Sequence, residues 1–136
     1  MFTHTLRVRF RDCDMFSHVN HVVYLTYFEE ARLAAWQELT GDDQSRLPFI
    51  LAEATCTYRA PATLGDTLHI YVIAGELRER SFVFEYRIDD ATTGKLIATG
   101  RTVQVCYDYT AKTSLPISAA LRAQLQAFAA RYAQTA

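Results

Sequence analysis

The chain has 136 residues, 50% of them apolar and 21% charged, with 14 basic against 15 acidic side chains and a net charge of −1. Folding at this length withdraws roughly 65–70% of the unfolded surface from water, enough for a core without disulfide or metal staples, so one domain over residues 1–136 is expected and a second is excluded. The balanced charge lacks the basic excess or stripe of a nucleic-acid-binding surface, which removes that class of partner.

The first strand is predicted over residues 3–10, where Leu6, Val8 and Phe10 alternate with Arg7 and Arg9. Those two arginines also break any apolar signal core at the start, and no uncharged run reaches the roughly 20 residues of a spanning helix. A cytoplasmic protein with no membrane span is expected. A polar stretch, residues 11–20, follows. Over residues 21–39 the spacing becomes helical, with Leu25, Phe28, Arg32, Ala35 and Leu39 in one row and Tyr24, Phe28, Ala31 and Ala35 in another, and Gly41 supplies a stop. With Val22, Val23, Tyr27, Leu33 and Trp36 included, apolar residues run most of the way round, the mark of a helix enclosed by other elements.

Four strands are predicted next, over residues 49–60, 67–78, 81–89 and 95–108. Turn chemistry separates them at Pro61 to Asp66, at Glu79–Arg80 and at Asp90 to Gly94. Phe82, Phe84, Tyr86 and Ile88 alternate with Val83, Glu85 and Arg87, which puts one apolar face inward. Short connections make successive strands antiparallel neighbours. After Pro116, Leu121, Leu125, Phe128 and Tyr132 space an amphipathic helix over residues 118–133, capped by Ser118. The fold class is therefore α+β, a curved antiparallel sheet embracing a central helix, with a C-terminal helix on a flank. One sheet covers one side of a helix apolar all round, and a second copy of the chain is the simplest cover for the rest, so a homo-oligomer is expected.

Cys13, Cys56 and Cys106 are odd in number and far apart, with no C-x-x-C pair, and read as reduced thiols with neither a disulfide framework nor a metal site. The chemistry concentrates in residues 11–21, Arg-Asp-Cys-Asp-Met-Phe-Ser-His-Val-Asn-His, where two carboxylates, two imidazoles and an amide stand directly before the buried helix. A helix N-terminus presents unpaired N–H groups and a partial positive charge, which polarises a carbonyl where negative charge develops, while a neighbouring carboxylate attacks that carbonyl or activates water. The competing reading makes Asp12, Asp14, Ser17 and Asn20 turn-formers and caps.

The run Asp12-Cys13-Asp14, then His18-Val19-Asn20-His21, Tyr24-Leu25 and Tyr27-Phe28-Glu29-Glu30-Ala31-Arg32, with the later Tyr58-Arg59-Ala60-Pro61-Ala62 and Gly65-Asp66, resembles the hotdog-fold acyl-CoA thioesterases of the 4-hydroxybenzoyl-CoA thioesterase family. The likeness covers nearly the whole chain. It implies a hotdog fold, dimers or tetramers with active sites between subunits, an acyl-CoA substrate, and no required metal or redox cofactor. By position Asp14 matches the family's catalytic aspartate, acting as nucleophile or as general base for water. His21 stands where the Tol-Pal-associated branch carries a supporting histidine, while His18 and Asn20 are similar to the H-V-N signature of another branch and of plant acyl-ACP thioesterases.

Other residues divide between chemical and structural readings. Tyr24 and Tyr58 are candidates to line an acyl pocket, or core and interface tyrosines. Arg59, Arg78 and Arg80 are candidates for the CoA phosphates, or solvated edge charge. Glu29 is expected to pair with Arg32 three residues on, although a helix-borne acid is the catalyst in another hotdog branch. Cys13 reads as a small apolar residue, and His4 and His69 as structural or exposed. The leading function is acyl-CoA thioester hydrolysis. The alternatives are a hotdog dehydratase or hydratase, against which the D-x-D placement argues, and a non-catalytic acyl-CoA-binding protein, which would not require an acid at position 14.

Overall fold

The computed structural model describes residues 1–41 and 47–133. In chain order these form β1 (Phe2–Arg7), a 3-10 turn (Phe10–Asp12), α1 (Val23–Thr40), β2 (Phe49–Tyr58), β3 (Thr67–Leu77), β4 (Ser81–Asp90), β5 (Leu96–Asp108), a two-residue β6 (Thr113–Ser114) and α2 (Ala119–Arg131). Every helix and long strand expected from periodicity is present. The sheet is antiparallel in the order β1-β3-β4-β5-β2, with β6 beside β5. Among the described residues no helix is long and apolar enough to cross a membrane.

α1 begins where the polar stretch ends and stops at Gly41, whose φ of 71° is left-handed and whose N–H closes on the Gln37 carbonyl, a conformation that favours glycine. Its buried face is Tyr24, Tyr27, Phe28, Ala31, Ala35 and Trp36. These side chains meet the inward residues of β3 (Leu68, Ile70, Val72) and β4 (Phe82, Phe84, Tyr86, Ile88). Phe28 stacks on Tyr86 with centroids 4.5 Å apart, and Trp36 meets Phe49 edge-on at 5.1 Å. On β5, Gly100 makes room for this packing, because its backbone lies directly under the Phe28 ring. α2 starts with Ser118 accepting the Leu121 N–H and buries Leu121, Leu125 and Phe128. Phe128 reaches Phe2 of β1 and Phe84 of β4.

Three expectations are corrected. Phe10 does not continue the first strand: the chain leaves the sheet after Arg7, turns through the 3-10 segment, and leaves Phe10 83% exposed. Successive strands are neighbours for β3–β4 and β4–β5, but β2 pairs with β5 and β3 with β1. The connection between β2 and β3 is no hairpin turn, because its backbone bonds elsewhere: Ala62 C=O accepts Val19 N–H at 2.9 Å, Asp66 C=O accepts Val8 N–H at 2.8 Å, and Gly65 N–H donates to Val8 C=O at 3.2 Å. The segment is carried across the start of α1 instead of folding back. Third, Glu29 makes no ion pair with Arg32: Glu29 is exposed, while Arg32 is buried and donates to Tyr86 Oη at 3.2 Å. A helical i,i+3 spacing places two residues on adjacent rows, and here one row faces solvent and the other the sheet.

The sheet covers one side of α1 and leaves Val22, Leu25 and Leu33 exposed on the other. β2 is the outermost strand; of its ten residues only Phe49 is buried, and Ile50, Leu51 and Tyr58 are exposed large hydrophobic side chains.

Candidate active site

Residues 12–20 fold on themselves. Asn20 N–H donates to Asp12 C=O at 2.8 Å, Cys13 and Val19 form an antiparallel bridge, and Asp14 N–H donates to His18 C=O at 2.8 Å. Ser17, at φ 62°, turns the tip, where the left-handed region is sparsely populated for residues other than glycine. A second bridge, His18 with Thr63, and the Val19–Ala62 hydrogen bond seat this loop on the β2–β3 connection. The loop joins α1 through Asn20, whose C=O accepts Val23 N–H at 2.9 Å and whose Oδ1 accepts Val22 N–H at 3.4 Å. Asn20 thus ties the loop to the start of α1, whose N-cap is Val22 with no side-chain cap bond.

The two acids of the D-x-D pair have opposite environments. Asp12 is 5% exposed, and its Oδ2 accepts from Tyr27 Oη at 2.8 Å, Arg9 Nε at 3.0 Å and Arg9 N–H at 3.1 Å. Burial opposes its charge, but the Tyr27 hydroxyl and the Arg9 amide and guanidinium outweigh burial and hold the carboxyl below the usual aspartate range. Arg9 also bonds Glu30 at 3.0 Å. The Tyr27 hydroxyl is driven far upward by burial and by donation to Asp12, so it stays protonated. Asp14 is exposed at the tip. Its Oδ1 accepts from the N–H groups of Phe16 at 2.9 Å and His18 at 3.4 Å. The amides that orient Asp14 therefore belong to its own turn and not to α1.

His18 and His21 are exposed, and neither ring is hydrogen-bonded among the described residues. His21 C=O accepts the Tyr58 hydroxyl at 2.7 Å, and Tyr58 meets Tyr24 edge-on at 5.3 Å. Tyr24 is 3% exposed, with its hydroxyl accepting Ala62 N–H at 3.3 Å, so it ties the crossing segment to the helix. Cys13 donates to Arg9 C=O at 3.6 Å, and burial together with Asp12, Asp14 and Asp66 pushes its thiol up, against a thiolate role. Among the described residues no cluster of three or more His, Cys, Asp or Glu side chains is arranged to hold a metal.

The three arginines are not brought together. Arg59 is exposed just past β2, with its N–H on Ile97 C=O. Arg78 pairs with Glu76 at 2.7 Å, and Arg80 donates to Ser114 C=O at 3.0 Å. Both lie beyond the far end of β3, whose 11 residues span roughly 35 Å from the loop side of the sheet. A cavity of about 310 Å³ bounded by Trp36, Pro48, Leu115 and Leu121 also lies at the far end of α1, away from Asp14.

What periodicity missed is the exposure of large apolar side chains on and next to the loop that carries Asp14: Phe10, Met15 and Phe16 are 83%, 89% and 73% exposed, and Val22 and Leu64 are exposed as well. Leu64 N–H bonds the Ser17 carbonyl, which places it against the tip. The only hint in the sequence is the apolar pair Met15-Phe16 between polar residues. Monomeric proteins seldom expose large contiguous apolar patches without a partner or ligand to cover them.

Residues 8–125 match the thioesterase-like superfamily. The chain is 28% identical over 127 residues to the long-chain acyl-CoA thioesterase of Escherichia coli (strain K12), covering 89% of this chain and 94% of that one. A thioesterase of Thermus thermophilus, solved in complex with coenzyme A and Zn, superposes with a TM-score of 0.85 at 29% identity over 95% of this chain and 94% of that one. A gentisyl-coenzyme A thioesterase superposes with a TM-score of 0.82 at 28% identity over 90% and 98%. The chain belongs to the hotdog-fold acyl-CoA thioesterase family and is a thioester hydrolase.

Proposed function

We propose that this thioesterase hydrolyses an acyl- or aroyl-CoA thioester to the free acid and CoA, with Asp14 as the reacting carboxylate. The observation that carries the reading is the position of Asp14: an exposed acid oriented by two backbone N–H groups through one oxygen, followed in the chain by the exposed Met15 and Phe16, on the loop that leads into the buried helix. Oδ1 is engaged by the turn, which leaves Oδ2 for the reaction. Asp14 takes a proton from water as it adds to the thioester carbonyl, or attacks the carbonyl itself to give an anhydride that water then opens. In both routes the C–S bond breaks and the thiolate leaves, protonated, as CoA. No acidic residue stands in the first turn of α1, so its positive end is uncompensated by its own side chains and is the source of polarisation for the developing oxyanion.

His18, whose N–H bonds Asp14, and His21, seven residues beyond Asp14 in the chain, are both exposed and are the imidazoles available to assist. Asn20 and Tyr24 act by holding the loop and the crossing segment. Of Arg59, Arg78 and Arg80, Arg59 is the one on the loop side of the sheet and the one assigned to a CoA phosphate. The chain acts as a homo-oligomer: the exposed β2 edge offers unpaired backbone groups to a second copy, and the exposed apolar side chains of the loop and of the free face of α1 give that copy apolar surface to cover.

The test is Asp14→Asn, assayed by thiol release on short, medium, long and aromatic acyl-CoAs. A fall in kcat of roughly a hundredfold or more at nearly unchanged KM is expected. Undiminished hydrolysis would remove Asp14 from the reaction. Single turnover in ¹⁸O-labelled water tests the anhydride route, since label enters Asp14 only when water opens an anhydride at the aspartyl carbonyl.

A further inference from the structure

We infer that Asp12 is a positioning residue for thioester hydrolysis, setting where Asp14 stands relative to the start of α1; the inference rests on Asp14 being the reacting acid. Asp12 grips both ends of the loop that carries Asp14. Its backbone C=O takes the Asn20 N–H, and Asn20 in turn holds the first N–H of α1 at Val23. Its side chain reaches α1 directly through Tyr27, which is fully buried in the core. The third anchor is Arg9, which supplies two donors to the same oxygen and ties its other nitrogen to Glu30, one turn beyond Asp12's partner Tyr27 on α1. Arg9 also lies over the Tyr27 ring, 5.9 Å from its centroid.

This arrangement exceeds what a turn-former needs. A turn is closed by one side-chain acceptor and one N–H, as Asp14 itself does with Phe16. Asp12 instead collects three donors on one oxygen, at 2.8, 3.0 and 3.1 Å: two come from Arg9 at the start of the 3-10 turn, and the shortest comes from Tyr27, 15 residues away on α1. Charge-assisted bonds of this kind are roughly twice as strong as neutral ones, and a neutral amide in the same place is a weaker acceptor. A single residue, Cys13, separates this fixed point from Asp14, too short a tether to absorb a shift of Asp12 by internal flexing. The loop tip has no packed side chains of its own to hold it, since Met15 and Phe16 are exposed. The position of Asp14 is thereby inherited from Asp12, Tyr27 and the loop's own backbone bonds. A displacement of about 1 Å in a reacting group costs on the order of a hundredfold in rate.

The experiment compares Asp12→Asn, Tyr27→Phe and Asp14→Asn in the full-length chain, with kcat and KM from thiol release. Alongside, calorimetric titration with a non-hydrolysable S-alkyl-CoA thioether counts competent binding sites. For Asp12→Asn a kcat loss of roughly a hundredfold is expected, and for Tyr27→Phe roughly tenfold, with KM, thioether Kd and binding stoichiometry unchanged. A fall in kcat matched by an equal fall in stoichiometry would show a merely structural role and overturn the inference. Wild-type kcat in both Asp12→Asn and Tyr27→Phe beside an inactive Asp14→Asn would overturn it while leaving the Asp14 reading intact. An active Asp14→Asn with an inactive Asp12→Asn would overturn both and make Asp12 the reacting acid. Should Asp12→Asn fail to fold, Tyr27→Phe, which keeps the Arg9–Asp12 pair, decides.

Discussion

Gly100→Ala reports on whether α1 is seated as described. A Cβ at position 100 would stand 2.3 Å from Phe28 Cε2, 2.4 Å from Phe28 Cζ and 2.9 Å from the Thr55 carbonyl oxygen, against about 3.5–4.0 Å for relaxed carbon contacts. Relief requires the Phe28 ring to retreat by more than about 1 Å. It has nowhere to go: Phe28 is fully buried and stacked at 4.5 Å on Tyr86, which is held by Thr102 at 2.6 Å and Arg32 at 3.2 Å. Overpacking of this kind costs about 1–3 kcal/mol, and the rigid surroundings put this site near 3 kcal/mol. For a chain of this length that lowers Tm by about 10 °C. The assay is calorimetric or dichroism melting at fixed protein concentration, because oligomerisation makes Tm concentration-dependent. Phe28→Leu removes the ring carbons in question, so Gly100→Ala combined with Phe28→Leu should cost at least about 1 kcal/mol less than the sum of the single changes. A loss below about 1 kcal/mol in the single variant, or strict additivity in the pair, would refute the packing of Phe28 over β5.

Three further outcomes follow from the site. Tyr24→Phe leaves the buried Ala62 N–H without its acceptor and should cost about 1–3 kcal/mol in denaturant unfolding. Cys13→Ala should keep kcat within about twofold, because the thiol is held protonated and a hundredfold effect is the scale of a reacting group. For pH, the Asp12 carboxyl is held lower in the folded chain than in the unfolded one, where it sits near pKa 3.9. Its stabilisation is therefore full above that unfolded value and lost as pH falls through the lower folded one. Acid melting of Asp12→Asn should accordingly fall less steeply below about pH 4 than that of the parent chain.

Local chemistry was legible wherever a residue's conformation depends on its immediate neighbours. Ser118 capping α2, Gly41 ending α1 and the inward alternation of Phe82, Phe84, Tyr86 and Ile88 each rest on contacts within a few residues, and the structure has all three. The loop of residues 11–21 was legible as the place where chemistry gathers, because residue types are read without coordinates. What failed were particular readings that depend on partners far along the chain, although the sheet around the central helix was read correctly. Phe10 follows the strand's period but leaves the sheet, where Val8 pairs with Asp66 and Arg9 with Glu30, 21 residues on. Pro61 to Asp66 carries turn residues, yet its backbone is claimed by Val8 and Val19.

The D-x-D pair draws the same line most sharply. Two identical side chains two positions apart cannot be told apart by composition or period, and resemblance alone ranked the second above the first. Their difference comes from Tyr27, 15 residues beyond Asp12, whose hydroxyl finds one carboxylate and leaves the other in the open. Residue order determined which groups this protein possesses and which elements they ride on, because propensity and periodicity are local. Only the assembled sheet and the helix lodged in it decided which acid is buried and which stands in the open, because burial is a property of the packed whole.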